Sequence, residues 1–321
     1  MTKRQLGRSG IAISPMVLGG NVFGWTADKA RSLDILDRFT GAGLEAIDTA
    51  DVYSRWVPGN EGGESETIIG EWISSRKARD RIVLITKVGY EMDRGGLSAT
   101  HIERAVENSL RRLQTDRIDV YFSHKPDPAT GHDETLRACE RLIQAGKVRT
   151  IGASNFDAGK LRAALDAAAA NNLPRYEVIQ PEYNLYDRGE FEGALRDLVM
   201  AQDIGVISYY GLAKGFLSGK YRSDADLGQS PRGGGVSAYM NARGFQILTA
   251  LDEIAARHGA KAAEVALAWV MAQPGLTAPI ASATSIQQVD SLIRAAELVL
   301  SADDLAALDA ASSPDAWRPH Q

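Results

Sequence analysis

Ile82-Val83-Leu84-Ile85-Thr86-Lys87 is an unbroken apolar run that stops on a hydroxyl and a cation. The residues favour β structure, and the run does not alternate, which suits a parallel strand buried on both faces. An amphipathic stretch, Ala99–Leu113, follows. Ile102, Val106, Ser109, Leu110 and Leu113 share one stripe, with Glu103, Glu107 and Arg111 off it. A second apolar run, 118–122, comes next and leads to His124. Strand, helix and strand again is the unit from which parallel sheets are built.

Outward from this unit the pattern repeats. Further strands are expected at 16–18, 44–47, 148–151, 177–179, 205–208 and 277–280. Alanine-rich stretches at 161–169 and 262–273 favour helix by propensity. Gly43, Gly146 and Gly205 precede strands, where a left-handed helix end wants glycine. Eight strands with helices between them imply an α/β fold, a closed barrel or a doubly wound sheet. Residues 3–6 and 11–13 flank Gly-Arg-Ser-Gly and read as a hairpin plugging one barrel end. The stretch 212–240 is long and glycine-rich, a candidate binding loop. No linker interrupts the chain, so 1–321 is expected to be one domain.

Bulk composition narrows the function classes. The chain has 321 residues, 44% hydrophobic, 24% charged, with a formal charge of −5. Basic residues form no run, which points away from nucleic acid and anionic membranes. No apolar stretch reaches the ~18 residues of a membrane span, and the N-terminus has no signal-peptide core. Cys139 is alone and cannot form an internal disulfide, so the cytoplasm is the expected compartment. Gly215-Phe-Leu-Ser-Gly219-Lys220-Tyr221 is not a P-loop, having three residues between its glycines and tyrosine after the lysine. No Gly-x-Gly-x-x-Gly occurs. His101, His132, His258 and His320 lack metal spacing, and no metal site is expected.

The chemistry lies at the strand ends. Asp48, Lys87, His124, Ser154, Asn155, Gln180 and Tyr209 each sit at the end of an apolar run. In a barrel these ends converge on one mouth, where active sites form. Asp48, Tyr53, Lys87 and His124 make a coherent acid–base set. Reducing a carbonyl needs a proton for the developing alkoxide. Tyr53 is a candidate acid, with a Lys87 cation expected to lower its pKa, Asp48 to hold that cation, and His124 to orient the substrate oxygen. Trp25, Trp56 and Tyr90, just past strand ends, are candidate walls of a substrate pocket with His124.

Several blocks resemble the aldo-keto reductase family. Ile47-Asp48-Thr49-Ala50-Asp51-Val52-Tyr53 is similar to its signature, and Thr86-Lys87 to its strand-end lysine. Tyr121-Phe122-Ser123-His124-Lys125-Pro126-Asp127 resembles its histidine segment. Gly146-Lys147-Val148-Arg149, Ile151-Gly152-Ala153-Ser154-Asn155-Phe156 and Gln180-Pro181-Glu182-Tyr183-Asn184-Leu185 resemble further blocks. The pattern is nearest to bacterial members related to the potassium-channel β-subunit group.

The resemblance implies a (β/α)8 TIM barrel with an N-terminal hairpin plug and extra helices after strands seven and eight. It implies reversible hydride transfer between NADP(H) and an aldehyde or ketone. Tyr53 would be the general acid and base, supported by Lys87, Asp48 and His124. Ser154, Asn155 and Gln180 would bind the carboxamide, Tyr209 would stack on the nicotinamide, and Gly20 and Asn21 would lie beside it. Gly211, Leu212, Ala213, Gly215 and Lys220 would follow the pyrophosphate, with Arg232 reaching a phosphate. Ser282, Thr284 and Gln288 would lie near the adenosine 2′ position.

The chain departs from the family in places. Tyr210-Gly211 replaces the usual serine and proline, and Ser291-Leu292 a usual Glu-Asn pair. Neither Ser282 nor Gln288 is cationic, so NAD(H) stays open beside NADP(H). The implied partner is a small carbonyl or alcohol, set by loops 52–64, 88–97, 125–133 and 212–240; self-association is left open. Two other readings exist. A cofactor-sensing subunit of the same fold would bind without turnover. A Schiff-base lyase would use a neutral Lys87, which a nearby Asp48 opposes.

Overall fold

The computed structural model describes residues 1–229 and 233–313. The chain opens with an antiparallel hairpin, β1 (Arg4–Gln5) and β2 (Ala12–Ile13). Strands and helices then alternate. The first are β3 (Val17–Gly19), α1 (Lys29–Gly41), β4 (Ala46–Asp48), α2 (Glu64–Arg76), β5 (Val83–Val88) and α3 (Ala99–Leu113). Next are β6 (Ile118–Ser123), α4 (His132–Gln144), β7 (Val148–Ser154), α5 (Ala158–Asn171), β8 (Val178–Gln180), α6 (Ala194–Gln202) and β9 (Gly205–Ser208). Two helices, α7 (Ala242–His258) and α8 (Ala262–Ala272), precede β10 (Ala278–Ala281). Another two, α9 (Ile286–Glu297) and α10 (Ala302–Ser312), follow it.

Strands β3 to β10 pair in parallel, and β10 returns to β3. The molecule is therefore a (β/α)8 barrel, with the surplus helices in the places the resemblance implies. Closure leaves no strand edge and gathers all C-terminal ends on one rim.

Two apolar layers hold it together. Val17, Ala46, Val83, Ile85, Val120, Phe122, Val178, Ile207, Ala278 and Ile280 fill the barrel interior, and Leu6, Ile11 and Ile13 of the hairpin join that cluster. The hairpin closes the end opposite the mouth, as expected. Gly7 has φ +57, and a Cβ there would lie 2.5 Å from the Gly205 nitrogen. Arg4 Nη1 donates to the carbonyls of Met271 (2.8 Å) and Thr277 (3.2 Å). The outer layer lies between strands and helices. There the predicted α3 stripe is buried, and its bounds are those read from the sequence.

Two details differ from expectation. Most strands run one to three residues further than read, so Asp48, Lys87, Ser154 and Gln180 are strand residues. Neighbouring strands supply backbone partners at these positions, and a polar side chain facing the mouth does not end the ladder. Gly43 and Gly146 take positive φ, but Gly205 does not. There the left-handed residue is Asp203 (φ 51). Gly205 instead makes room for the hairpin, since its Cβ would lie 2.7 Å from the Leu6 carbonyl carbon. No helix among the described residues is long and apolar enough to cross a membrane.

Candidate active site

The floor of the barrel mouth is polar and buried. Lys87, on β5, is fully buried. Its Nζ donates to Asp48 Oδ2 (2.6 Å), the Thr49 carbonyl (2.8 Å) and the Tyr53 hydroxyl (3.0 Å). Those three bonds use the three N–H groups of an ammonium, so the geometry is that of a charged lysine. Asp48 Oδ1 accepts from Gln180 Nε2 (3.0 Å), a link across the barrel from β8 to β4. The rings of Tyr53 and His124 lie 6.0 Å apart, centroid to centroid.

The electrostatics follow from burial. It pushes the Lys87 ammonium below its ordinary pKa and the Asp48 carboxyl above its own, while each charge opposes the other's shift. Tyr53 is a correction. Its pKa lies well above the ordinary value, raised first by burial and then by Asp48. The lysine cation does not overturn those effects, so the phenol is firmly protonated. Burial, with the Lys87 and Lys125 cations, holds His124 well below its usual value, so the ring is neutral. Among the described residues nothing hydrogen-bonds the buried His124 Nδ1.

Above this floor opens a cavity of about 1120 Å³. Ser154 donates to the Gln180 carbonyl (2.9 Å). Asn155 Nδ2 donates to the His124 carbonyl (2.8 Å), and its Oδ1 accepts from the Tyr209 hydroxyl (2.7 Å). Ser282 donates to Asn21 Oδ1, and the Thr284 nitrogen to Gln288 Oε1 (2.8 Å). Gly211, Leu212, Gly215 and Lys220 also face the cavity, as do Trp25, Trp56 and Tyr90. Gly20 and Ala213 do not line it. Gly20 packs behind the wall, where a Cβ would lie 2.8 Å from Ser65 Oγ. Ala213 is fully buried, its nitrogen tied to the Tyr210 carbonyl. Arg232 lies outside the described residues.

The chain matches the sequence model of the Aldo/keto reductase family over residues 15–313. The chain belongs to the aldo/keto reductase family. It is 36% identical to the uncharacterized oxidoreductase YrpG of Bacillus subtilis, over 95% of this chain and 94% of that one. It is 30% identical to protein tas of Escherichia coli, over 97% of each. It is also 30% identical to a norsolorinic acid reductase of Aspergillus flavus, over 97% of this chain and 81% of the other.

For an aldo/keto reductase the cavity carries cations that sequence reading missed. Lys125, Lys214 and Lys261 line it with Lys220. Lys261 precedes α8, and a lysine at a helix start was a signal that could have flagged an anion site. Ser291, at a position where the family usually has an adenine contact, donates to Glu264 (2.7 Å), which Arg294 also binds.

Proposed function

We propose that this aldo/keto reductase transfers hydride reversibly between NADP(H) and an aldehyde or ketone. One observation carries the reading. Lys87 donates to the Tyr53 oxygen, which leaves the phenol's own proton free to be given to a substrate in the cavity that Tyr53 lines. The residues fit a dinucleotide. Asn21, Ser154, Asn155, Gln180 and Tyr209 would hold its amide end, and Leu212, Gly215 and Lys220 its phosphates. Ser282, Thr284 and Gln288 would meet the adenosine, and Lys261, which lines the same cavity, would supply the positive charge they lack and favour NADP(H) over NAD(H). A bound nicotinamide supplies hydride to the carbonyl carbon.

The chain's own residues manage the proton. Tyr53 donates to the carbonyl oxygen as charge builds there. The phenolate left behind sits beside the Lys87 ammonium, which Asp48 keeps in place. A neutral His124 with its proton on Nε2 donates a second hydrogen bond to the same oxygen. Oxidation of an alcohol runs the same proton backwards. A lysine bound by three acceptors has no lone pair for Schiff-base chemistry. The cytoplasm is the compartment this reading expects.

Absorbance at 340 nm tests it. With a panel of aldehydes and ketones, NADPH is oxidised, and at least about tenfold more efficiently than NADH. Tight binding of both nucleotides with no turnover on any carbonyl defeats this reading and favours a cofactor-sensing subunit.

A further inference from the structure

The cavity changes character along its length. At the Tyr53 end its walls are aromatic. Trp25 meets Trp56 edge to face with ring centroids 5.6 Å apart, and Tyr90 lies 4.8 Å from the His124 ring. Trp56 and Tyr90 are 48% and 43% exposed, too open for core packing.

One charge is set in this wall. Lys125 holds its ammonium 3.5 Å from the centre of the Tyr90 ring. No carboxylate pairs with it among the described residues. The acids next to Lys125 and Tyr90 along the chain have other partners: Asp127 accepts from Leu97 N, Ala129 N and the Thr130 hydroxyl, and Glu91 pairs with Arg55 and Arg94. Asp48 is the one carboxylate among the described residues lining the cavity. A cation resting on an exposed ring is weakly held, and a carboxylate offers it stronger, charge-assisted hydrogen bonds.

We propose that the pocket selects flat aromatic carbonyl compounds bearing a carboxylate opposite the carbonyl, with Lys125 reading that charge. The proposal rests on the carbonyl-reductase reading above. Lys125 and His124 both contact the Tyr90 ring, so the ammonium lies within 8.3 Å of the imidazole centre, about the span of one substituted ring. A one-ring substrate with its carbonyl oxygen at Tyr53 and His124 therefore presents its far edge to Lys125.

The test compares 4-formylbenzoate with benzaldehyde in wild type, Lys125→Met and Lys125→Arg. In wild type kcat/KM favours the carboxylate by at least about tenfold, through KM, and the ratio shrinks as salt rises. Lys125→Met brings the ratio close to one, and Lys125→Arg restores most of it. A second readout needs no turnover. Titrated into the cofactor-free protein, 4-(hydroxymethyl)benzoate quenches tryptophan fluorescence at lower concentration than benzyl alcohol, and Lys125→Met removes the difference. A wild-type ratio near one, or a preference that survives in Lys125→Met, overturns the proposal. Benzaldehyde reduction without charge preference overturns it alone. Charge-selective quenching without reduction of any aldehyde instead overturns the carbonyl-reductase reading alone.

Discussion

A buried charge is tolerated only with its partners in place, and Lys87 has three. Asp51, beside this site, is less well served. Burial and the neighbouring Glu66 lift its carboxyl to about 7, against the pull of Arg112. The sign follows from linkage: the unfolded chain loses this proton near pH 4, the folded chain only near 7. Stability is therefore fully present below the ordinary carboxylate value and is lost as pH rises towards 7. Asp51→Asn removes that loss, so its urea midpoint, compared with wild type, gains between pH 4 and 8; an unchanged difference across that range contradicts the assignment. Asp48 and Lys87 were legible in the sequence because a charged residue ending an apolar strand is conspicuous. The direction of the Tyr53 shift was not, because burial depth depends on residues brought in from other strands.

The α2–α3 contact shows the same limit among elements. The α3 stripe is apolar and readable, whereas the buried face of α2 includes Ser65, Glu66 and Gly70. Gly70 is there for closeness: a Cβ would lie 2.0 Å from the Arg112 carbonyl oxygen. Gly70→Ala forces the helices apart and costs about 2–3 kcal/mol, read from the denaturant midpoint. Gly41→Ala, with nothing within 4 Å of its Cβ, is the control and holds its midpoint. Equal midpoints for the two variants would show that the helices part freely. Strand boundaries were misread by a few residues for a related reason. A polar residue looks like a terminus until the neighbouring strand that pairs with it is known.

For the whole molecule, closure does the assembling. The Asp48–Gln180 bond joins residues 132 positions apart. No local pattern predicts that bond; it follows once eight strands form a ring. The order of strands and helices was legible from periodicity, and the cavity's residue types from the strand ends. Lys125 and Lys261 were missed because loop and helix-start lysines look like surface charge. The ring also depends on its plug. Leu6 is fully buried in the interior cluster, and Leu6→Ala should lower stability by about 3 kcal/mol by calorimetry or denaturant; a loss below ~1 kcal/mol would detach the hairpin from the core's energetics. The central claim is that Tyr53 delivers the proton, and the measurement closest to it is kcat/KM for Tyr53→Phe in protein shown by fluorescence titration to bind NADPH. The account predicts a fall of at least about a hundredfold with nucleotide affinity retained. Turnover equal to wild type in that variant would contradict it.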